Sequence, residues 1–255
     1  MKAMILAAGL GTRLRPLTDD RPKALVEVAG RTLLEIALSR LHSFGIRDVV
    51  INVHHFADQV VDYLQANNNF GLRIEVSREA VLLDTGGGIK KAAWFFLQDS
   101  SSSDEPFLLH NVDVISNIDF ARMGQLHAAN RALATLAVQQ RKSSRYLLVD
   151  DDGQLCGRQT GAATEWARRS PRTQSLAFCG IHIISPRIFS LMTEEGVFSI
   201  LAPYLRLAAS GEKILAFRAD EYRWRDLGRL SDLELAEQDE KQSASARARH
   251  IKLAE

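Results

Sequence analysis

Two cysteines in 255 residues, Cys156 and Cys179, are too few to build a disulfide framework. Both sit among neutral or apolar neighbours with no CxxC or Cys/His spacing, which argues against a zinc site and for buried reduced thiols. The chain also lacks an excess of either charge, with 32 basic and 31 acidic residues leaving +1 at pH 7. There is no basic stripe and no long acidic tail, so nucleic acid is not an expected partner. Near-neutrality still allows a phosphate-rich substrate, which needs positive charge only locally. No apolar run approaches the roughly 20 residues of a membrane span. The opening MKAMILAAGLG is too short for a signal-peptide core and passes directly into Gly and Arg. The expectation is a cytoplasmic protein with no membrane partner. No internal repeat is present.

What is present suits a globular α/β chain: 46% hydrophobic and 25% charged residues, with glycine and proline unremarkable. Met1 to Ala8 is a continuous apolar run, as expected of a strand buried on both faces. Leu33, Leu34, Ala37, Leu38 and Leu41 then recur with helical period over 32–44. A second strand is expected over 48–53, a helix faced by Phe56, Val60, Val61 and Leu64, and a strand over 72–76. A helix is expected over 88–98 behind three glycines, and a strand over 106–111. Such alternation argues for a parallel sheet with right-handed crossovers. The order is less regular after Asp119. Strands are expected over 133–138, 175–184, 214–218 and 222–224, with a hairpin around Asp-Asp-Gly over 146–155. A helix is expected over 198–209, and a polar one from Leu230 onward. One domain over 1–240 with a polar tail or helix end at 241–255 is the simplest division, and QDSSSSDE (98–105) reads as a solvated loop. The cluster Trp94, Phe95, Phe96 reads as core, and His54 and His55 as loop or strand-end residues without metal-ligand partners.

The strongest local signal is LAAGLGTRLRPLTDDRPKAL, residues 6–25. A buried strand runs into Gly9-Leu10-Gly11-Thr12-Arg13, which puts bare backbone at a strand's carboxyl end, where open α/β sheets bind ligands. Glycines let backbone N–H groups approach phosphate oxygens, and Arg13, Arg15 and Lys23 add fixed positive charge. A dinucleotide fingerprint would need glycine at position 14, which is Leu14. A Walker loop would need a Gly-Lys pair that is absent. A plain strand-to-helix turn would explain a lone GxG but not the added Thr-Arg and Pro-Lys.

The pattern GxGTRxxPxTxxxPKxLxxxxG, formed by Gly9, Gly11, Thr12, Arg13, Pro16, Thr18, Pro22, Lys23, Leu25 and Gly30, resembles the signature of nucleotidylyltransferases acting on sugar 1-phosphates. Later landmarks follow in the same order: Leu83-Asp84-Thr85-Gly86-Gly87-Gly88, Asn111-Val112-Asp113 and Trp224-Arg225-Asp226-Leu227-Gly228. The likeness extends to about residue 235. It implies a Rossmann-like three-layer sandwich around a mixed, mostly parallel sheet, of the GT-A-like kind. It also implies magnesium (Mg2+) held by Asp113 and Asp226, a nucleoside triphosphate and a sugar 1-phosphate. Ala7, Ala8, Gly9, Gly11 and Thr12 would bind nucleotide. Arg13 would stabilise charge on departing pyrophosphate, Lys23 would bridge the α-phosphate and the sugar phosphate, and Thr85 and Gly87 would lie beside base or ribose. Two positions depart from the pattern: Val112, commonly glycine, and Leu227-Gly228-Arg229, where Gly-Thr often ends the motif.

For the sugar, the resemblance implies Asn52, Glu165 and Gly180. Many relatives carry Glu-Lys-Pro after the hairpin, whereas TEWARRSPR (164–172) offers no such lysine; Arg168 or Arg169 could compensate, and solvated surface arginines are the simpler reading of both. The LDTGGGI segment resembles that of uridylyltransferases acting on N-acetylmuramate 1-phosphate in bacterial cell-wall recycling, which points to UTP. GTP-dependent mannose or heptose 1-phosphate guanylyltransferases are the enzymatic alternative. A catalytically silent nucleotide-sugar sensor is the alternative of another class, and the presence of Arg13, Lys23 and both aspartates argues against it.

Overall fold

The computed structural model describes residues 1–98 and 104–238. Most of the loop expected over 98–105, and the expected tail at 241–255, lie outside the described residues.

Strand β1 (Ala3–Leu6) is buried through Ala3, Met4 and Ile5, since neighbours on both edges and both faces leave it no solvent side. Beyond the glycine loop, the short strands β2 (Glu27–Val28) and β3 (Arg31–Thr32) pair and lead into helix α1 (Leu33–Ser43). Thr32 caps that helix by accepting the Glu35 N–H at 3.0 Å, and its buried stripe is the predicted leucine-rich one. β4 (Asp48–Val53), α2 (Ala57–Ala66) and β5 (Arg73–Arg78) follow closely the sequence reading.

The next segment departs from it. The helix expected behind the glycines begins instead at Asp84, running as α3 (Asp84–Lys91) and then α4 (Ala93–Leu97). Gly86, Gly87 and Gly88 therefore lie inside a helix, where each is intrinsically worse than alanine by about 1 kcal/mol. Packing overrides propensity because there is no room for side chains. A Cβ on Gly86 would overlap the Phe198 ring, one on Gly87 the Gly196 carbonyl, and one on Gly88 would stand 2.8 Å from Glu79 Oε1. Of the aromatic trio in α4, Phe95 and Phe96 are buried, whereas Trp94 is 40% exposed.

β6 (Phe107–Asn111) and β7 (Val114–Ser116) lead to α5 (Phe120–Asn130), capped by Asp119. This helix escapes a pattern search because only Phe120, Met123 and His127 are buried in it. Then come β8 (Ala134–Gln139), the hairpin β9 (Arg145–Asp150) and β10 (Leu155–Thr160), and β11 (Ala163–Trp166). The long β12 (Thr173–Ile184) is followed by α6 (Ile188–Leu191), α7 (Leu201–Ala209), β13 (Ile214–Arg218) and β14 (Trp224–Asp226). Residues 230–238 are helical.

The main sheet runs β11-β10-β9-β12-β6-β1-β4-β5, with β8 on β12 and β13 on β8. Four of these nine pairings are parallel (β1–β4, β1–β6, β4–β5, β8–β13) and five antiparallel. The sheet is mixed, but its parallel character is concentrated in the half built from the first 111 residues; the later strands return through hairpins. Two apolar clusters cover its faces. One includes α1, α2 and α5, the other α4 and α7, which makes three layers. β14 and β7 form a two-stranded ribbon apart from the main sheet.

Candidate active site

The strands of the parallel half end at one edge, and a cavity of about 480 Å3 opens there. Its walls are the end of β1 with the glycine loop (Leu6, Ala7, Ala8, Gly9, Gly11, Thr12, Arg13), Lys23, Asn52, the segment Leu82, Asp84 and Thr85, then Asn111, Val112, Asp113, Val197 and Gly228. The loop is clamped at one glycine and bare at the other. Gly11 has φ +66°, and a Cβ there would come 2.9 Å from Thr18 Cγ2 and 3.0 Å from Lys23 Cβ. The Thr18 hydroxyl donates to the Gly11 carbonyl at 2.9 Å, and Leu14 is fully buried beneath the turn. Gly9 has open space where a side chain would stand, so backbone and an anion can approach closely there.

A buried polar relay lies behind this floor. Asn52 Oδ1 accepts the Ala7 N–H at 2.8 Å, and Asn52 Nδ2 donates to Glu79 Oε1 at 2.7 Å. The other Glu79 oxygen accepts the Leu83 N–H at 2.9 Å. Asn52 therefore lines the cavity while both ends of its amide are engaged by the protein, tying β1, β4 and the segment before α3 together. Glu79, 5% exposed, escapes sequence reading because nothing in its spacing separates it from a surface residue at a strand end. His54 Nδ1 pairs with the Glu79 carbonyl at 2.8 Å, a structural bond at a strand end.

Asp113 follows β6 and forms an ion pair with Lys23, both side chains largely buried. Asp226 arrives from β14. It lies opposite Val114 in the ribbon, and the Leu227 N–H donates to the Asp113 carbonyl at 2.8 Å, which brings the two aspartates to one corner. Oδ1 of Asp226 is buried and has no hydrogen-bond partner. Burial raises the pKa of Asp226 and the nearby Asp113 charge adds to the rise, against Lys23, Arg13 and a backbone bond from Gly228. Gly228 is wedged in this corner: a Cβ would stand 2.5 Å from Arg13 Nη2 and 2.7 Å from Asp226 Oδ1. The Arg13 guanidinium thus faces Asp226 across a residue with no room for a side chain.

An orphaned buried carboxylate oxygen beside a second carboxylate fits a hard divalent cation, which takes oxygen ligands and fills its shell from substrate phosphates and water. Among the described residues, no group of three or more His, Cys, Asp or Glu side chains could hold a metal ion, so two carboxylates are what the corner offers.

The remaining expected residues divide. Thr85 lines the cavity, its hydroxyl accepting the Ile200 N–H at 2.9 Å. Gly87 does not; it is buried against the Gly196 carbonyl, where it serves helix packing. Gly180, with φ +71°, backs the wall, since a Cβ there would come 2.7 Å from Asn111 Nδ2 and 3.2 Å from Val114 Cγ2. Glu165 is absent from the cavity. It lies on exposed β11, four strands from β6, with its carboxylate bound to Arg158 at 2.7 Å. Arg168 is bound to Asp150 and the Leu155 carbonyl, Arg169 lies 5.5 Å from the Trp166 ring centroid, and neither lines the cavity. Leu82 and Val197, which sequence reading did not single out, add aliphatic surface to the cavity.

A three-layer mixed sheet, with a glycine loop and two aspartates brought together at the carboxyl edge of its parallel half, is the GT-A-like fold of nucleotidyltransferases. Residues 2–243 match the Nucleotidyl transferase family. The N-acetylmuramate alpha-1-phosphate uridylyltransferase of Caulobacter vibrioides is 38% identical over 218 residues, covering 82% of this chain and 85% of that one. The mannose-1-phosphate guanyltransferase of Yarrowia lipolytica is 29% identical over 236 residues, covering 91% of this chain but 62% of that longer protein. The crystal structure of HddC from Yersinia pseudotuberculosis complexed with GMP-PN shares the fold, with a TM-score of 0.72 at 21% identity over 93% of this chain and 98% of that one. The chain belongs to the nucleotidyl transferase family, in its sugar-1-phosphate branch. Members of that family generally use a divalent metal ion. Among the described residues no helix is long and apolar enough to cross a membrane.

Proposed function

We propose that this enzyme transfers a uridylyl group from UTP to N-acetylmuramate 1-phosphate, releasing pyrophosphate, with magnesium held by Asp113 and Asp226. The observation that carries the choice of substrates is the 38% identity, over most of both chains, to the Caulobacter enzyme that bears this activity in its name. A phosphate oxygen of the sugar substrate attacks the α-phosphorus, and the bond from that phosphorus to the β-phosphate oxygen breaks in line. No side-chain nucleophile is required, so the protein's task is positioning and charge balance.

The backbone around Gly9 and Gly11 receives the triphosphate. Arg13, across Gly228 from Asp226, meets the charge that grows on pyrophosphate as it leaves. Lys23 enters from the Asp113 side of the corner and bridges the α-phosphate and the incoming sugar phosphate. Thr85, Leu82 and Val197 form the walls nearest the base and ribose. Magnesium, when bound, supplies neutralisation of the phosphate oxygens at the reacting centre.

The guanylyl reading is favoured by the Yarrowia relative, and a pyrophosphate-release screen separates the two. The purified protein is assayed with UTP and GTP against N-acetylmuramate, N-acetylglucosamine, mannose and heptose 1-phosphates. UTP with the muramate substrate is expected to give the highest kcat/KM. Preference for GTP, or for mannose or heptose 1-phosphate, overturns the substrate assignment and leaves the reaction class standing. Nucleotide binding without pyrophosphate release in any pair would instead identify a sensor.

A further inference from the structure

Asp226 is carried by a ribbon, not by the main sheet. β14 pairs with β7, and the two form a separate two-stranded sheet. The ladder of the ten-stranded sheet does not reach Asp226: the backbone bonds from the Leu227 N–H to the Asp113 carbonyl and from the Asn117 N–H to the Arg223 carbonyl hold β14 to β7 and its approach, and side-chain contacts set how the ribbon lies against the main sheet. In the ribbon's register Trp224 lies opposite Ser116 and Asp226 opposite Val114. Opposed residues share a face, as do residues two apart on one strand, so Trp224 and Asp226 project the same way.

Trp224 is tied to the main sheet at its edge and on its face. Its indole Nε1–H donates to the Cys179 carbonyl at 2.7 Å, where β12 breaks register against β8. Arg141, two residues beyond β8, lies with Cζ 3.8 Å from the Trp224 ring centroid and donates through Nη2 to the Phe178 carbonyl at 2.8 Å. The guanidinium forgoes a bond to sit there, because Arg141 Nε is buried without a hydrogen-bond partner. An orphaned donor on a charged group is unfavourable. What offsets it is a cation–π contact, with Cζ 3.8 Å from the ring centroid; a lysine ammonium can bring the charge but not the delocalised planar face of a guanidinium. The base of the strand is anchored separately: Gln139 Nε2 donates to the Ala219 and Tyr222 carbonyls at 2.7 and 2.9 Å. Losing Arg141 should therefore change the ribbon's orientation without detaching it.

We propose that Arg141 is a positioning residue: stacked on Trp224, it fixes the angle at which the ribbon presents Asp226 and so sets how tightly the site holds its divalent cation. This rests on the reading of Asp226 as a metal ligand.

The test uses the full-length protein with Mn2+ as probe. Binding is read, without turnover, from loss of the free-ion paramagnetic resonance signal. Arg141→Ala should weaken Mn2+ binding roughly tenfold, the low end of what loss of a group supporting a metal ligand does. Arg141→Lys keeps the charge and can keep a bond to Phe178, but not the stack, so it should resemble the alanine variant; if the alanine variant fails to fold, it carries the test alone. In the turnover assay the half-saturating magnesium concentration should rise by a similar factor, with the KM for the sugar phosphate within about twofold of wild type. Three results overturn the proposal: wild-type Mn2+ affinity in Arg141→Ala, full rescue by lysine, or a rise confined to the sugar-phosphate KM, which would put Arg141 on the substrate. Asp226→Asn is the control. Wild-type Mn2+ affinity there would instead remove Asp226 from the metal site.

Discussion

Asp113 and Asp226 meet in one corner, yet the protein supports them in opposite ways. Asp113 comes off the central parallel half of the sheet and is charge-balanced from within by Lys23. Asp226 comes off a ribbon held by a backbone bond at Asp113 and by side-chain contacts at Trp224, keeps a buried oxygen without a partner, and has its pKa raised by burial and by Asp113. The difference shows where the free enzyme is unfinished. One carboxylate is at rest without a ligand, and the other is held at a standing cost that incoming positive charge relieves. A protein selected for stability alone would have paired both, so the asymmetry belongs to the chemistry.

The largest effects should come from removing either charge. Asp113→Asn and Asp226→Asn should each lower turnover on the order of 10^3-fold with magnesium, since an amide cannot neutralise the cation and its loss removes several kcal/mol of charge stabilisation. Steady-state kinetics with magnesium as sole metal provide the check. A near-normal rate in one variant would break the symmetry of function and leave a single-carboxylate site.

Next in size are the two cations that face these aspartates. Arg13→Ala should depress kcat by roughly 10^2-fold with little change in KM, because its partner charge grows only as pyrophosphate leaves. Lys23→Ala should harm both parameters, since it removes the proposed contact with the substrate phosphates together with the charge that balances Asp113. An effect of Arg13→Ala on KM alone would place that arginine in ground-state binding.

Stability should separate the aspartates by sign. Asp113→Asn strands the Lys23 ammonium, whose side chain is 10% exposed, and breaking such a pair costs about 3 kcal/mol. Asp226→Asn should raise the Tm of the metal-free protein at neutral pH, because it removes a carboxylate whose charge is disfavoured by burial and by Asp113. The folded-state pKa of Asp226 lies above its unfolded value, so the native state binds the proton more tightly and stability falls as pH rises through that window. The advantage of Asp226→Asn should therefore be full above the raised pKa and vanish below the ordinary aspartate value of 3.8. Thermal melts in EDTA across that range measure it. Equal effects in both variants would mean that the carboxylates are electrostatically alike.

The glycine-loop side of this corner was readable from sequence because its geometry is local. Gly9, Gly11, Thr12, Arg13 and Lys23 lie within 15 consecutive residues, and the loop's geometry is set by its own glycines and by Thr18. Asp113 and Asp226 were found through their motifs, but the asymmetry between them depends on contacts from residues far away in the chain, which no spacing encodes. The same holds for Glu79, whose burial is decided by Asn52 and the Leu83 N–H. The helix at the triple glycine was expected to start at residue 88 and starts instead at Asp84, because local propensity cannot show that Phe198 and Gly196 occupy the space beside α3. The sugar end was least readable, since its motif was degraded and Glu165 stood as a nominal match in a hairpin carried away from the cavity.

Glu165 supplies the smallest expected effect and the sharpest contrast with the two aspartates. Like Asp113 it is paired with a cation, Arg158, but its side chain is 54% exposed and that of Arg158 38%. A solvent-exposed pair of this kind is worth about 0–1 kcal/mol, and β11 is a strand at the edge of the sheet, away from the cavity. Glu165→Gln should leave kcat and the sugar-phosphate KM within about twofold of wild type, because it removes neither a substrate contact nor a buried partner. Saturation curves for the sugar phosphate at fixed UTP decide the matter. A KM rise of tenfold or more, with Tm unchanged, would mean that the β10–β11 hairpin folds over the sugar during turnover and brings a third carboxylate to the site. The two aspartates would then form a fixed pair, and Glu165 a mobile third carboxylate.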